Sequence, residues 1–142
     1  MHCDGSRNDQ KIVYYDFAHA PSKVKATVDS IIQAYPSQRV LCILELHTFS
    51  SLNPDFLPLY AGCLDGVGRS VVLLDDETIQ AKKMEYLDDE TIQNSFENES
   101  IEIVRCKFDL QKILENEKAH YQVILIMSSG KLGGLNIRTF PF

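Results

Sequence analysis

The chain has 142 residues, with 14 Lys and Arg against 20 Asp and Glu for a formal charge of -6. That is enough length to bury the core of one domain, and it leaves no basic face for a phosphate backbone, so nucleic-acid binding is set aside. No charged-then-apolar leader opens the chain, the run Val123 to Met127 is far short of the ~20 apolar residues a membrane helix needs, and Cys3, Cys42, Cys63 and Cys106 lack metal-ligand spacing, so a soluble protein of a reducing cytoplasm is expected.

Residues 1–10 are polar and without periodicity, and read as a disordered lead-in or linker remnant; one domain is expected over 11–142. Ile12 to Asp16 reads as a strand, followed by a turn through His19 and a helix opening at Pro21, whose fixed φ and missing N–H suit a first helical position. From Ser22 to Tyr35, apolar Val24, Val28, Ile31 and Ile32 share one helical face. Val40 to Leu46 is a nearly continuous apolar run, as in a parallel strand covered on both sides. Phe56 to Leu64 reads as the next helical stretch, before Gly66.

Ser70 to Leu74 and Ile101 to Cys106 read as further strands, with a helix around Asp89 to Phe96 between them, and Phe108 to Glu117 as an amphipathic helix. Tyr121 to Met127 is the last strand and ends in the turn-forming Ser128-Ser129-Gly130. Strands alternating with helices predict an α/β, Rossmann-like three-layer domain with a mostly parallel sheet flanked by helices. One short repeat, Leu74 to Gln80 recurring as Leu87 to Gln93, has a period far below a solenoid unit and reads either as a loop duplication or as two acidic helix starts.

Ligands of open α/β sheets bind at the carboxyl ends of strands, where this reading places Asp16 and His19, His47 and Thr48, Asp75, and Ser128 with Ser129. Each has a structural role open to it as well. Asp16 can accept from a ribose diol or close an Asx turn, and His19 can meet a base or phosphate near a helix start or bond to backbone. Asp75, Ser128 and Ser129 suit caps and turns. Asn53 before Pro54 suits a cap. The glycine-rich run Gly130 to Gly134 lacks the GxxxxGK[ST] order, no GxSxG or HExxH occurs, and His2, His19, His47 and His120 are scattered. No catalytic or metal-binding set is therefore assigned.

The segment Asp16-Phe17-Ala18-His19-Ala20-Pro21 resembles the Asp-Tyr-(Ala/Gly)-His-x-Pro signature that opens the C-terminal domain of Mur ligases and folylpolyglutamate synthetases. Leu44 to Asn53 and Ile126 to Gly130 resemble the murein tripeptide ligase branch of that family as it occurs in Bacteroidetes-type bacteria, and the likeness runs from about Lys11 onward. It implies one domain of a larger three-domain, ATP-dependent peptide ligase of peptidoglycan recycling and cell-wall biogenesis. It implies Asp16 near the ATP ribose, His19 near the nucleotide, and His47, Thr48, Ser50, Ser128 and Ser129 near the peptide or the interdomain cleft. Better-known relatives carry Glu-Pro-Arg-Ser-Asn-Thr where this chain has Glu45 to Ser50, which removes an arginine able to clamp a carboxylate.

The same resemblance implies central and N-terminal ligase domains as partners, with UDP-N-acetylmuramate and a tripeptide as substrates. ATP and Mg2+ would serve the full enzyme, with no cofactor held tightly by this domain. Because the chain has no phosphate-cradling loop, it is expected to close over ATP and position the peptide amine without catalysing alone. The rival expectation is a stand-alone receiver-like or ligand-binding α/β regulatory module, with Asp16, Asp75, Ser128 and Lys131 as its polar corner.

Overall fold

A computed structural model of the chain describes residues 11–142, so the expected lead-in over residues 1–10 lies outside the described residues. Five strands, β1 (Ile12–Asp16), β2 (Val40–Glu45), β3 (Arg69–Leu73), β4 (Glu102–Val104) and β5 (Val123–Met127), form one sheet in the order β1-β5-β2-β3-β4. Every adjacent pair is parallel. The α/β, Rossmann-like reading holds. The order along the sheet's edge does not follow the chain, however, because β5 inserts between β1 and β2.

Helices cover both faces because the central strands are apolar on both. All six residues of β2 are buried, with Cys42 and Leu44 in one core and Leu41 and Ile43 in the other. The first core takes Val24, Val28 and Ile31 from α1 (Pro21–Ala34), Ile79 from α2 (Asp76–Ala81), and Ile92 and Phe96 from α3 (Asp89–Phe96). The second takes Leu110 and Leu114 from α4 (Lys107–Glu117) and Leu132 and Ile137 from the C-terminal tail.

Pro21 stands in the first turn of α1, where its missing N–H costs nothing. The two copies of the repeat are two helix starts. Asp75 accepts from the Thr78 N–H at 3.2 Å and Asp88 from that of Thr91 at 2.8 Å. Leu74 and Ile79, like Leu87 and Ile92, bury an apolar residue on each side of the cap in the same core, the pattern of a hydrophobic staple. Of the two readings of the repeat, the two acidic helix starts hold, and a helix α2 precedes the one expected around Asp89 to Phe96.

The crossover from β2 to β3 corrects the expected helix over Phe56 to Leu64. It holds only a 3-10 turn, Leu57–Tyr60, among other turns. Pro58 has no N–H for an α-helical bond and disfavours helical geometry at the residue before it, while Gly62 takes φ +78°. Packing compensates: Leu52, Leu57, Tyr60, Cys63 and Leu64 are all buried. Cys42 is a core residue whose thiol burial pushes up to about 12, far from a reactive thiolate.

Candidate functional site

The insertion of β5 gathers the carboxyl ends of β1, β5 and β2 into one corner. Asp16, Met127 and Leu44 lie level in the sheet register, and the Ser128 N–H donates to the Asp16 carbonyl at 2.9 Å. Ser128 and Glu45 therefore follow side by side, and the loop 128–132 runs over the ends of the central strands.

Glu45 is the hub of this corner, and it stood in the sequence only as the edge of a polar segment. It continues the alternation of Leu41 and Ile43 and is 2% exposed. Its Oε1 accepts from the Ser128 hydroxyl at 2.5 Å and from the Leu132 N–H at 3.1 Å. Gly130 crosses so close that a Cβ there would meet Glu45 Oε1 at 2.7 Å and His47 Cδ2 at 2.8 Å. The signal in the sequence was an acid closing an otherwise apolar strand, a position that demands hydrogen-bond donors.

His47 follows on the same turn, with Nε2 2.7 Å from the Ser129 hydroxyl. Partial burial holds its pKa below the ordinary 6.5, with His19 and Lys82 acting in the same direction and Glu45 opposing. The His19 ring lies 6.4 Å from that of His47, centroid to centroid. Chain ends of three strands thus bring His19, His47, Ser128 and Ser129 into one neighbourhood.

The remaining candidates are partly engaged. Asp16 Oδ1 accepts from the Ala18 N–H at 2.7 Å and Oδ2 from the Thr27 hydroxyl at 3.3 Å, an Asx turn that leaves the carboxylate half-buried beside a cleft. His19 Nδ1 is 3.0 Å from the Phe17 carbonyl, and its own carbonyl accepts from the Tyr60 hydroxyl. Thr48 and buried Ser51 bond one another in a closed turn, hydroxyl to hydroxyl at 2.8 Å, while Ser50 is exposed. Asn53 bonds the Asp55 N–H across a turn. Asp75 is 8% exposed, and Oδ2 also accepts from the Thr78 hydroxyl at 2.9 Å, so its carboxylate serves the cap of α2.

Two clefts flank the loop 128–130. One, of about 180 Å3, is lined by Tyr15, Asp16, Phe17, Ser128 and Arg138 among others, with the Arg138 guanidinium 4.9 Å from the Tyr15 ring centroid. The other, of about 490 Å3, is lined by His47, Thr78, Ala81, Lys82, Ser129 and Lys131 with Glu45 and Gly130. A larger concavity of about 760 Å3 lies at the opposite, amino edge, around Gly66, Gly68 and Arg69. Parallel sheets place ligands at the carboxyl edge, and Arg69 is already held by Glu102 at 2.6 Å and Glu117 at 2.8 Å, so size is a poor guide here.

Five parallel strands with helices on both faces and a polar corner at the strand ends define a Rossmann-like α/β domain. No family model matches the chain. A UDP-N-acetylmuramate–L-alanine ligase of Clostridium tetani is 27% identical over 133 residues, 90% of this chain and 28% of that protein. The enzyme of that name in Christiangramia forsetii is 24% identical over 89% of this chain and 27% of its own length. The chain thus spans just over a quarter of the curated relatives it matches.

Among solved structures, a murein peptide ligase of Psychrobacter arcticus aligns with TM-score 0.63 and 20% identity, covering 93% of this chain and 28% of that one. A domain assigned to a UDP-N-acetylmuramate:L-alanyl-γ-D-glutamyl-diaminopimelate ligase of Haemophilus ducreyi aligns with TM-score 0.60 and 21% identity, over 86% of this chain and 82% of that one. The chain matches the C-terminal domain of a Mur ligase family protein.

Proposed function

We propose that this chain is the C-terminal domain of an ATP-dependent peptide ligase of peptidoglycan recycling, a cytoplasmic enzyme that joins a tripeptide to UDP-N-acetylmuramate. The observation that supports this reading most is the convergence of Asp16, His19, His47, Ser128 and Ser129 on one corner between two clefts, in a domain similar to those of Mur ligases. In this reading the cleft beside Asp16 meets the nucleotide and the cleft beside His47 meets the peptide.

The donor set fits part of ATP. Each Asp16 oxygen already accepts one hydrogen bond and retains a lone pair for a ribose hydroxyl, and His19, three residues on, places its ring 6.4 Å from that of His47. The triphosphate and Mg2+ do not fit: the chain lacks a phosphate-cradling loop, and among the described residues no three His, Cys, Asp or Glu side chains stand together as ligands. Those groups belong, in this proposal, to the central domain. ATP supplies activation of the muramyl carboxylate there.

This domain's part is closure. Docking of the corner excludes water and aligns the incoming amine, turning an encounter into a near-unimolecular attack. Apart from the other domains it would not catalyse. Asp75, spent on the cap of α2, offers little support to the receiver-like alternative. Calorimetry of the chain with ATP tests this division of labour. Affinity should be about millimolar or weaker and indifferent to Mg2+; tight, Mg2+-dependent binding would refute it.

A further inference from the structure

The turn between β1 and α1 that carries Asp16 and His19 is held from outside by the crossover from β2 to β3. The hydroxyl of Tyr60, at the end of the 3-10 turn Leu57–Tyr60, donates to the His19 carbonyl, and the Cys63 thiol donates to the Pro21 carbonyl at 3.3 Å. Pro21 opens α1, so the two contacts bracket the step from turn to helix. Burial pushes the Tyr60 hydroxyl and the Cys63 thiol up in pKa, and each keeps its proton and remains a donor.

Tyr60 is itself fixed by the core. It is 1% exposed, its ring stacks on that of Phe96 with centroids 5.2 Å apart and planes at 20°, and the Phe56 ring meets it edge-on at 6.1 Å. The Gly62 N–H donates to the Phe96 carbonyl at 3.1 Å, which ties the crossover to α3 through the backbone as well. Phenylalanine would fill the same space. The oxygen is what reaches the turn.

The same crossover opens with the other member of the histidine pair. His47 follows shortly after β2, and its ring lies 6.4 Å from that of His19. Between His47 and Tyr60, the Thr48–Ser51 turn is closed on itself and Leu52 and Leu57 are buried. One segment therefore supplies one histidine and grips the backbone of the other.

We infer that Tyr60 is a positioning residue for His19: its hydroxyl fixes the β1–α1 turn on the crossover and so sets how the His19 ring stands against His47. The bearing of this contact on ligand binding rests on the nucleotide reading of Asp16 and His19, in which a turn held in place beforehand spares the ligand the cost of ordering it.

The test is residue-resolved NMR of the chain and of Tyr60→Phe, which keeps the ring and removes the hydroxyl, with and without ATP at fixed pH. Ile92→Val, which trims a methyl elsewhere in the same core, is the control for lost stability. Tyr60→Phe should move the imidazole resonances of both His19 and His47 and weaken the ATP response of Asp16 to His19 roughly three- to tenfold, the scale of one hydrogen bond. Ile92→Val should lower the urea midpoint and leave both readouts in place. In the unaltered chain the Tyr60 hydroxyl proton should exchange slowly and show a cross-relaxation peak to the His19 or Ala20 backbone. Absence of that peak, unmoved histidine resonances in Tyr60→Phe, equal shifts in Ile92→Val, or an ATP response undiminished by Tyr60→Phe would overturn the positioning role. The nucleotide reading fails separately: if the unaltered chain gives no ATP response at Asp16 to His19, that reading falls, and the histidine resonances still decide whether Tyr60 holds the turn.

Discussion

Glu45 and Ser128, 83 residues apart in the chain, are joined by a 2.5 Å hydrogen bond at the ends of neighbouring strands β2 and β5. This contact ties the loop 128–132 to the centre of the sheet, and with the Leu132 N–H it uses a carboxylate that would otherwise be buried without partners. Replacing Glu45 with Ala strands both donors. A loss of about 1–3 kcal/mol is expected in urea unfolding, the cost of leaving buried polar groups unsatisfied. Ser128→Ala removes one donor and should cost less.

Gly130 has no room for a side chain. A Cβ would press on Glu45 Oε1 and His47 Cδ2 at under 3 Å, so Gly130→Ala must displace the loop and separate Ser129 from His47. We expect about 1–3 kcal/mol of destabilisation by the same measurement. The loss should come with a changed His47 imidazole chemical shift, whereas exposed Ser50→Ala should leave both unmoved.

His47 titrates below 6.5 in the folded chain, chiefly because it is partly buried. Its unfolded form binds a proton first as pH falls, so the neutral imidazole's contribution to stability is complete above about 6.5 and is lost as pH drops through the lower folded value. Following the imidazole C–H resonances from pH 8 to 4 checks this. A midpoint at or above the value for free histidine would contradict the assignment.

The two helix starts of the repeat should behave alike in kind. Asp75→Ala and Asp88→Ala each delete an N-cap and should cost about 0.5–2 kcal/mol. Asp75 is nearly buried and also bonds the Thr78 hydroxyl, whereas Asp88 is exposed, so the first substitution should cost more. Equal or negligible losses would argue against the capping roles.

What the sequence revealed and what it withheld divide along physical lines. Local rules were legible: Pro21 opens α1, Val24, Val28 and Ile31 bury one face, and the acids of the repeat start helices. The apolar run of β2 up to Leu44 gave away a sheet covered on both sides. Non-local facts were not. Nothing in residues 121–127 states that β5 enters between β1 and β2, and without that insertion neither the Glu45–Ser128 bond nor the His47–Ser129 pair follows. The crossover after β2 misled because its apolar spacing is helical while Pro58 and Gly62 forbid a helix. Lys82, which lines the cleft beside His47, went unnamed, and Lys131 was named only in the polar corner of the receiver-like alternative, because which concavity a lysine lines is set by the fold.

The central claim, that the corner built from the ends of β1, β5 and β2 is the face that meets ATP, is tested most directly by residue-resolved NMR of the 142-residue chain during ATP titration. The amides of Asp16, Phe17, Ala18 and His19 should shift together and saturate weakly, and Asp16→Ala should abolish the response. Shifts centred instead on Gly66 to Ser70 at the amino edge, or a response unaffected by Asp16→Ala, would contradict it.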